Sequence, residues 1–110
     1  MNMLNLTRYG LGSVLRWGVL ALALLAAVGC GPLQYTANMI AAQSALEAAR
    51  DGNARWLAAY EFYSAQTHLE KAREEAAEGE YEDAIRFADA ATSYAQRALE
   101  LAMRKEKKDK

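Results

Sequence analysis

Few side chains in this 110-residue sequence have chemistry to offer. Cys30 is its only thiol, and it follows Ala27-Val28-Gly29 at the end of an apolar run from Trp17 to Val28. A thiol there can carry lipid, follow an uncleaved membrane anchor, or stay free on a secreted chain, but it has no mate for an internal disulfide. His68 is the only imidazole, and with no second histidine or neighbouring cysteine to share a metal it reads as a surface residue. Glu74, Glu75 and Glu78 point different ways on one helix and lack the loop geometry of a calcium site. A glycine-rich phosphate loop is absent from the sequence. The expectation is therefore no catalytic residue, no metal, no cofactor and no enzyme. Trp56, Tyr60 and Tyr63, spaced four and three apart, are the candidate partner-binding residues, since clustered aromatics are what binding hot spots use. Lys110 puts a primary amine at the chain end, where a covalent link to a cell wall would need one.

The stretch before Cys30 looks like an address. Arg8 and Arg16 supply positive charge, and the apolar run after them is short for a bilayer span but right for the core of a signal peptide. Small residues leading into a lone cysteine resemble the lipobox of bacterial lipoproteins, in which the thiol is diacylated, a peptidase cuts before it, and the new amino terminus is acylated. Position 27 is Ala where that motif prefers Leu, and Ala27-Val28-Gly29 also suits the ordinary signal peptidase. The resemblance implies lipidation at Cys30. Two or three acyl chains, at about 0.8 kcal/mol per buried methylene, would hold the product on a membrane essentially permanently. By analogy with Gram-negative sorting, Gly31 after the cysteine implies the outer membrane.

Removing residues 1–29 leaves about 80, enough for one small domain. The net charge is −1, but its distribution is uneven. Glu70 to Asp83 holds seven acids against Lys71 and Arg73, whereas the tail carries Arg104, Lys105, Lys107, Lys108 and Lys110 against Glu106 and Asp109. Both runs read as solvated surface with favourable helix-end charges.

Helical periodicity governs the rest, and the fold class expected is all-α: a signal-peptide helix, then a three-helix antiparallel bundle made of a short helix and a long Ala-rich hairpin. Residues 30–34 form the lipidated start and a short spacer containing Pro32, and 106–110 a charged tail. The first helix, 35–50, carries Tyr35, Met39, Ala42, Leu46 and Ala49 on one face. Leu33, Ile40, Ala41 and Ala48 lie elsewhere on it, so it should touch more than one neighbour. Gly52 is expected as a left-handed C-cap and Asn53 as the next N-cap. The second helix, 54–78, keeps heptad spacing through Ala58, Phe62, Ala65, Leu69, Ala72 and Ala76. Gly79 ends it. The third, 81–105, has the stripe Tyr81, Ala84, Ala88, Ala91, Ala95, Ala98 and Ala102, with Lys71–Glu75, Glu82–Arg86 and Glu100–Arg104 as helical charge pairs. Cores built of alanine bring helices close but bury little area, so the first helix or a second copy must complete the core.

Trp56, Tyr60 and Tyr63 lie opposite the Ala58, Phe62 and Leu69 seam, and two arrangements are open. In the expected one the first helix folds back and covers them with Met39, Ala42 and Leu46; in the other they form an exposed patch near the membrane end. Residues 79–91 partly resemble the second helix of a tetratricopeptide repeat, although Glu75 stands where that pattern wants an aromatic. A closer resemblance spans Trp56 to Leu101. Tyr60-Glu61, Ala65, Leu69, Lys71-Ala72-Arg73-Glu74-Glu75-Ala76, Tyr81, Ala84-Ile85, Ala88, Ala91 and Ala95 are similar to the small exported Ala-rich lipoproteins grouped as domain of unknown function 4398. That resemblance implies a helical envelope protein with no established activity, found near peptidoglycan-binding modules. The reading is an outer-membrane lipoprotein on the periplasmic side, acting as a scaffold or interaction module. Its partners would be the membrane through acyl chains and an envelope protein or peptidoglycan-associated partner, with a second copy as a further candidate and no nucleic acid. The alternatives are a wall tether through Lys110 and a degenerate tetratricopeptide-like peptide binder.

Overall fold

The computed structural model describes residues 2–109, with the side chains of residues 2–9, 11 and 26–29 left aside. Four helices follow in order: α1 (Asn2–Asp51), α2 (Ala54–Leu57), α3 (Ala59–Ala77) and α4 (Tyr81–Asp109). Among the described residues there is no strand. The chain divides into two compact units, Met1–Gly31 and Pro32–Lys110, and α1 contributes to both.

In the first unit Val14, Leu15, Trp17, Val19, Leu20, Leu22, Leu24 and Leu25 are all more than half exposed. The segment is long and apolar enough to cross a membrane by length and composition, and none of its most apolar window is buried.

The second unit is built from alanine stripes. On α4 the buried residues are Ala84, Ala88, Ala91, Ala95, Ala98 and Ala102, the four-three spacing of a seam, while α3 turns Phe62, Ala65, Leu69 and Ala72 inward. Because the buried side chains of α4 are all alanine methyls, with Phe87, Tyr94, Leu99 and Leu101 only partly buried beside them, the larger buried volume must come from elsewhere. Met39 and Leu46 of α1 provide it together with Phe62 and Leu69 of α3, and Phe62 is the one large side chain fully buried among the described residues. Met39 and Ala42 pack with Leu69, Ala72, Ala88 and Ala91; Leu46 and Ala49 pack with Phe62, Ala65, Ala95 and Ala98. Asn38 Nδ2 donates to Asp89 Oδ1 at 2.8 Å, tying α1 to α4. Leu33, Ile40, Ala41 and Ala48, expected to find a second neighbour, are exposed.

Several local expectations are corrected. Pro32, assigned to a spacer before a helix at 35, lies within α1, and its carbonyl accepts Thr36 Oγ1 at 2.9 Å. It is the first residue of the second unit, and as a proline inside the helix it leaves one backbone hydrogen bond of α1 unmade. Asn53 rather than Gly52 takes the left-handed conformation, at φ 61°, and its side chain caps nothing. Gly52 instead makes room for the Leu99 side chain: a Cβ there would lie 2.6 Å from Leu99 Cδ1, and the leucine tip would have to move. The helix expected over 54–78 is broken at Ala58 (φ −141°, ψ 56°) into α2 and α3. Nothing in Leu57-Ala58-Ala59 demands a break, so tertiary packing sets it. Ala54 and Ala58 are both buried beside Ala98 and Ala102, and Lys105 Nζ donates to the freed Leu57 carbonyl.

Gly79 acts as expected. At φ 83° its N–H reaches the Ala76 carbonyl (3.0 Å) while Glu80 N–H reaches that of Glu75 (2.9 Å), the two bonds of a Schellman cap. Arg86 pairs with Asp83 rather than Glu82, whereas Lys71–Glu75 (3.0 Å) and Arg104–Glu100 form at the expected spacing.

Candidate functional site

Phe62 fixes where its aromatic neighbours point. With Phe62 turned fully into the core, helical geometry turns Tyr60 and Tyr63 away from it, and they are 73% and 48% exposed. Trp56 on α2 is 79% exposed. The expected cover is thus overturned: the face of Met39, Ala42 and Leu46 is spent on the α3–α4 seam, packed with Phe62 and Leu69 and the alanines of α4. Tyr63 keeps an edge-on contact with Phe62 at 5.4 Å, and the Arg50 guanidinium sits 5.9 Å from the centre of the Phe62 ring.

The three aromatics do not form one stripe. Tyr60 and Tyr63 line a shallow depression with Ser64, Thr67 and His68, and Trp56 stands outside it because the break at Ala58 shifts its phase. The position of the patch also differs from expectation. The chain enters this unit at Pro32, one turn before Tyr35, whose ring lies 6.0 Å from that of Tyr81 at the start of α4. Trp56 belongs to the other end, where Gly52 meets Leu99, about 30 Å from Pro32 along α1. The patch is distal from the entry point, not close to it.

His68 is half-buried rather than a free surface residue. Its ring lies between Tyr94 (5.0 Å) and Phe87 (6.0 Å), and its Nδ1 donates to the Ser64 carbonyl at 2.7 Å. The carbonyl can only accept, so Nδ1 carries a proton and Nε2 is the atom left for another partner. Among the described residues no group of three His, Cys, Asp or Glu side chains could hold a metal ion. In the acidic stretch Glu75 and Glu74 grip the Lys71 ammonium at 3.0 and 3.1 Å, and these bonds raise its pKa above the ordinary 10.5. Cys30 is exposed; Lys110 lies outside the described residues.

One feature escaped the sequence reading. A groove of about 290 Å³ between α1 and α3 is lined by Gln43, Leu46, Glu47, Arg50 and by Gln66, Leu69, Glu70, Arg73. The two sets are the same pattern, Gln-x-x-Leu-Glu-x-Ala-Arg, at 43–50 and 66–73. A search for internal repetition would have found it, with a weaker third copy at Gln96, Leu99, Glu100 and Ala102. Seam spacing hid it, since attention to the buried positions passes over the polar ones between them.

No curated protein and no solved structure matches this chain. The family model described as Domain of unknown function (DUF4398) matches residues 37–110, which cover α2, α3, α4 and the packed part of α1. The chain belongs to the DUF4398 family.

Proposed function

We propose that this protein is a bacterial lipoprotein of the cell envelope, held at the periplasmic face of the outer membrane by acyl chains on Cys30. On this reading residues 1–29 are a signal peptide, and the mature part is a three-helix antiparallel bundle that works as a scaffold or adaptor. The observation that carries it is the position of the only cysteine. Cys30 is exposed, follows small residues at the end of an apolar segment that nothing in the chain covers, and lies two residues before the packed unit begins at Pro32. Eight large apolar side chains left uncovered in water need a membrane or removal.

The exposed Tyr60 and Tyr63, with Trp56 beside them, are the surface such a module would offer to an envelope partner. That surface lies at the end of the packed unit far from Pro32, where the chain enters it. A groove lined by ion-forming side chains without a nucleophile beside them fits binding better than catalysis.

The test is Cys30→Ser in cells fed radioactive or alkynyl palmitate. Loss of label, with unprocessed precursor accumulating in the inner membrane, supports the reading. Continued labelling of the variant overturns it.

A further inference from the structure

We infer that the α1–α3 face of the packed unit is a docking surface for a second copy of this chain. The inference goes beyond the lipid anchor and rests on the scaffold reading only in treating the exposed aromatics as part of a partner surface. Arg50 and Glu47 on α1, and Arg73 and Glu70 on α3, line one groove. None of these four takes part in an ion pair among the described residues, whose pairs are Lys71–Glu74, Lys71–Glu75, Arg86–Asp83 and Arg104–Glu100. Two unpaired guanidiniums and two unpaired carboxylates make a patch with no net charge that is complementary to itself.

The repeated pattern supplies the symmetry. The two copies are offset by 23 positions, and the packing of Met39 and Ala42 with Leu69 and Ala72, and of Leu46 and Ala49 with Phe62 and Ala65, runs them in opposite senses. The groove is therefore nearly two-fold symmetric about its own centre, with Leu46 and Leu69 as its floor. The same offset carries Ile40 of α1 onto Tyr63 of α3, each seven residues before a groove carboxylate, Glu47 and Glu70, and so on the same helix face as it. Both are exposed, so each helix carries a large apolar side chain in line with its groove residues. Charged residues along the middle with apolar side chains at the borders give register and area together, and each copy offers both halves.

In the dimer a two-fold axis along the helices sets α1 of each copy across α3 of the other. Guanidiniums of one copy then come within reach of carboxylates of the other. This arrangement keeps the two Pro32 ends together, as two copies anchored in one membrane require.

The full chain, carrying two different C-terminal tags on co-expressed copies and released in mild detergent, gives the test. Wild-type copies should capture each other. The acidic variant Arg50→Glu/Arg73→Glu and the basic variant Glu47→Arg/Glu70→Arg should each lose self-capture by more than about tenfold, since like charges then face each other. Mixing the acidic with the basic variant should restore capture, a result that misfolded variants cannot give. Arg73→Glu alone, which leaves the Arg50–Phe62 contact intact, should weaken self-capture at unchanged melting temperature. Absent capture between wild-type copies overturns the inference, as does capture indifferent to the charge reversals or a mixture no better than its components. Lost self-capture with palmitate still on Cys30 leaves the lipoprotein reading standing.

Discussion

Ala88 sits where three helices meet. It is fully buried on α4, in the same cluster as Met39 and Ala42 of α1 and Leu69, Ala72 of α3. Ala88→Leu adds three carbons at a level where neither neighbour can retreat alone. Burial of those carbons would contribute about 2 kcal/mol if there were room. There is no room: Ala42, Ala72 and Ala88 are each 0% exposed and Ala91 is 1%, so the added volume must push α4 off α1 and α3 at once. Overpacking of this kind typically costs about 1–3 kcal/mol net. For a packed unit of this size each kcal/mol moves the melting temperature by about 4–8 °C, so a fall of roughly 4–24 °C is expected. The assay is thermal melting of the full chain followed by circular dichroism at 222 nm, with Ala41→Leu as control. Ala41 is exposed on α1, and its substitution should stay within about 0.5 kcal/mol of wild type. An unchanged or higher melting temperature for Ala88→Leu, beside a neutral control, would refute the seam.

Two further substitutions separate roles that the fold assigns to particular residues. Gly79→Ala places a Cβ on a backbone at φ 83° with open space around it, so it should cost about 1–2 kcal/mol through backbone strain alone, read by the same melt; a neutral result would mean that the α3–α4 turn can relax to another cap. Tyr60→Ala should melt within about 0.5 kcal/mol of wild type because the ring is 73% exposed, yet fail to retain an envelope partner in a pull-down. A large drop in melting temperature would show that the ring is structural after all.

The seams were legible in the sequence for a physical reason. Helices in close contact must repeat every 3.5 residues, and alanines held at 84, 88, 91, 95, 98 and 102 leave no other reading. Gly79 was legible as well, since a local cap needs only local residues. What failed was whatever depends on a distant neighbour. Whether Trp56, Tyr60 and Tyr63 are covered turns on where α1 packs the face of Met39, Ala42 and Leu46, and that face goes to the all-alanine stripe of α4 and the inward side of α3. The break at Ala58 exposes the Leu57 carbonyl that Lys105 meets from 48 residues away, and Gly52 faces the tip of Leu99 on another helix. His68 read as surface because the rings that flank it, Phe87 and Tyr94, belong to another helix. The paired Gln-x-x-Leu-Glu-x-Ala-Arg pattern needed no structure at all, only a comparison of the chain with itself.

The anchor is the claim on which the rest of the account depends, and intact mass analysis of the protein purified from membranes tests it most directly. The mature chain should begin at Cys30 and carry a diacylglyceryl group on its thiol together with a further acyl chain on its amino terminus. A chain that still begins at Met1, or one cut elsewhere with an unmodified Cys30, would contradict it.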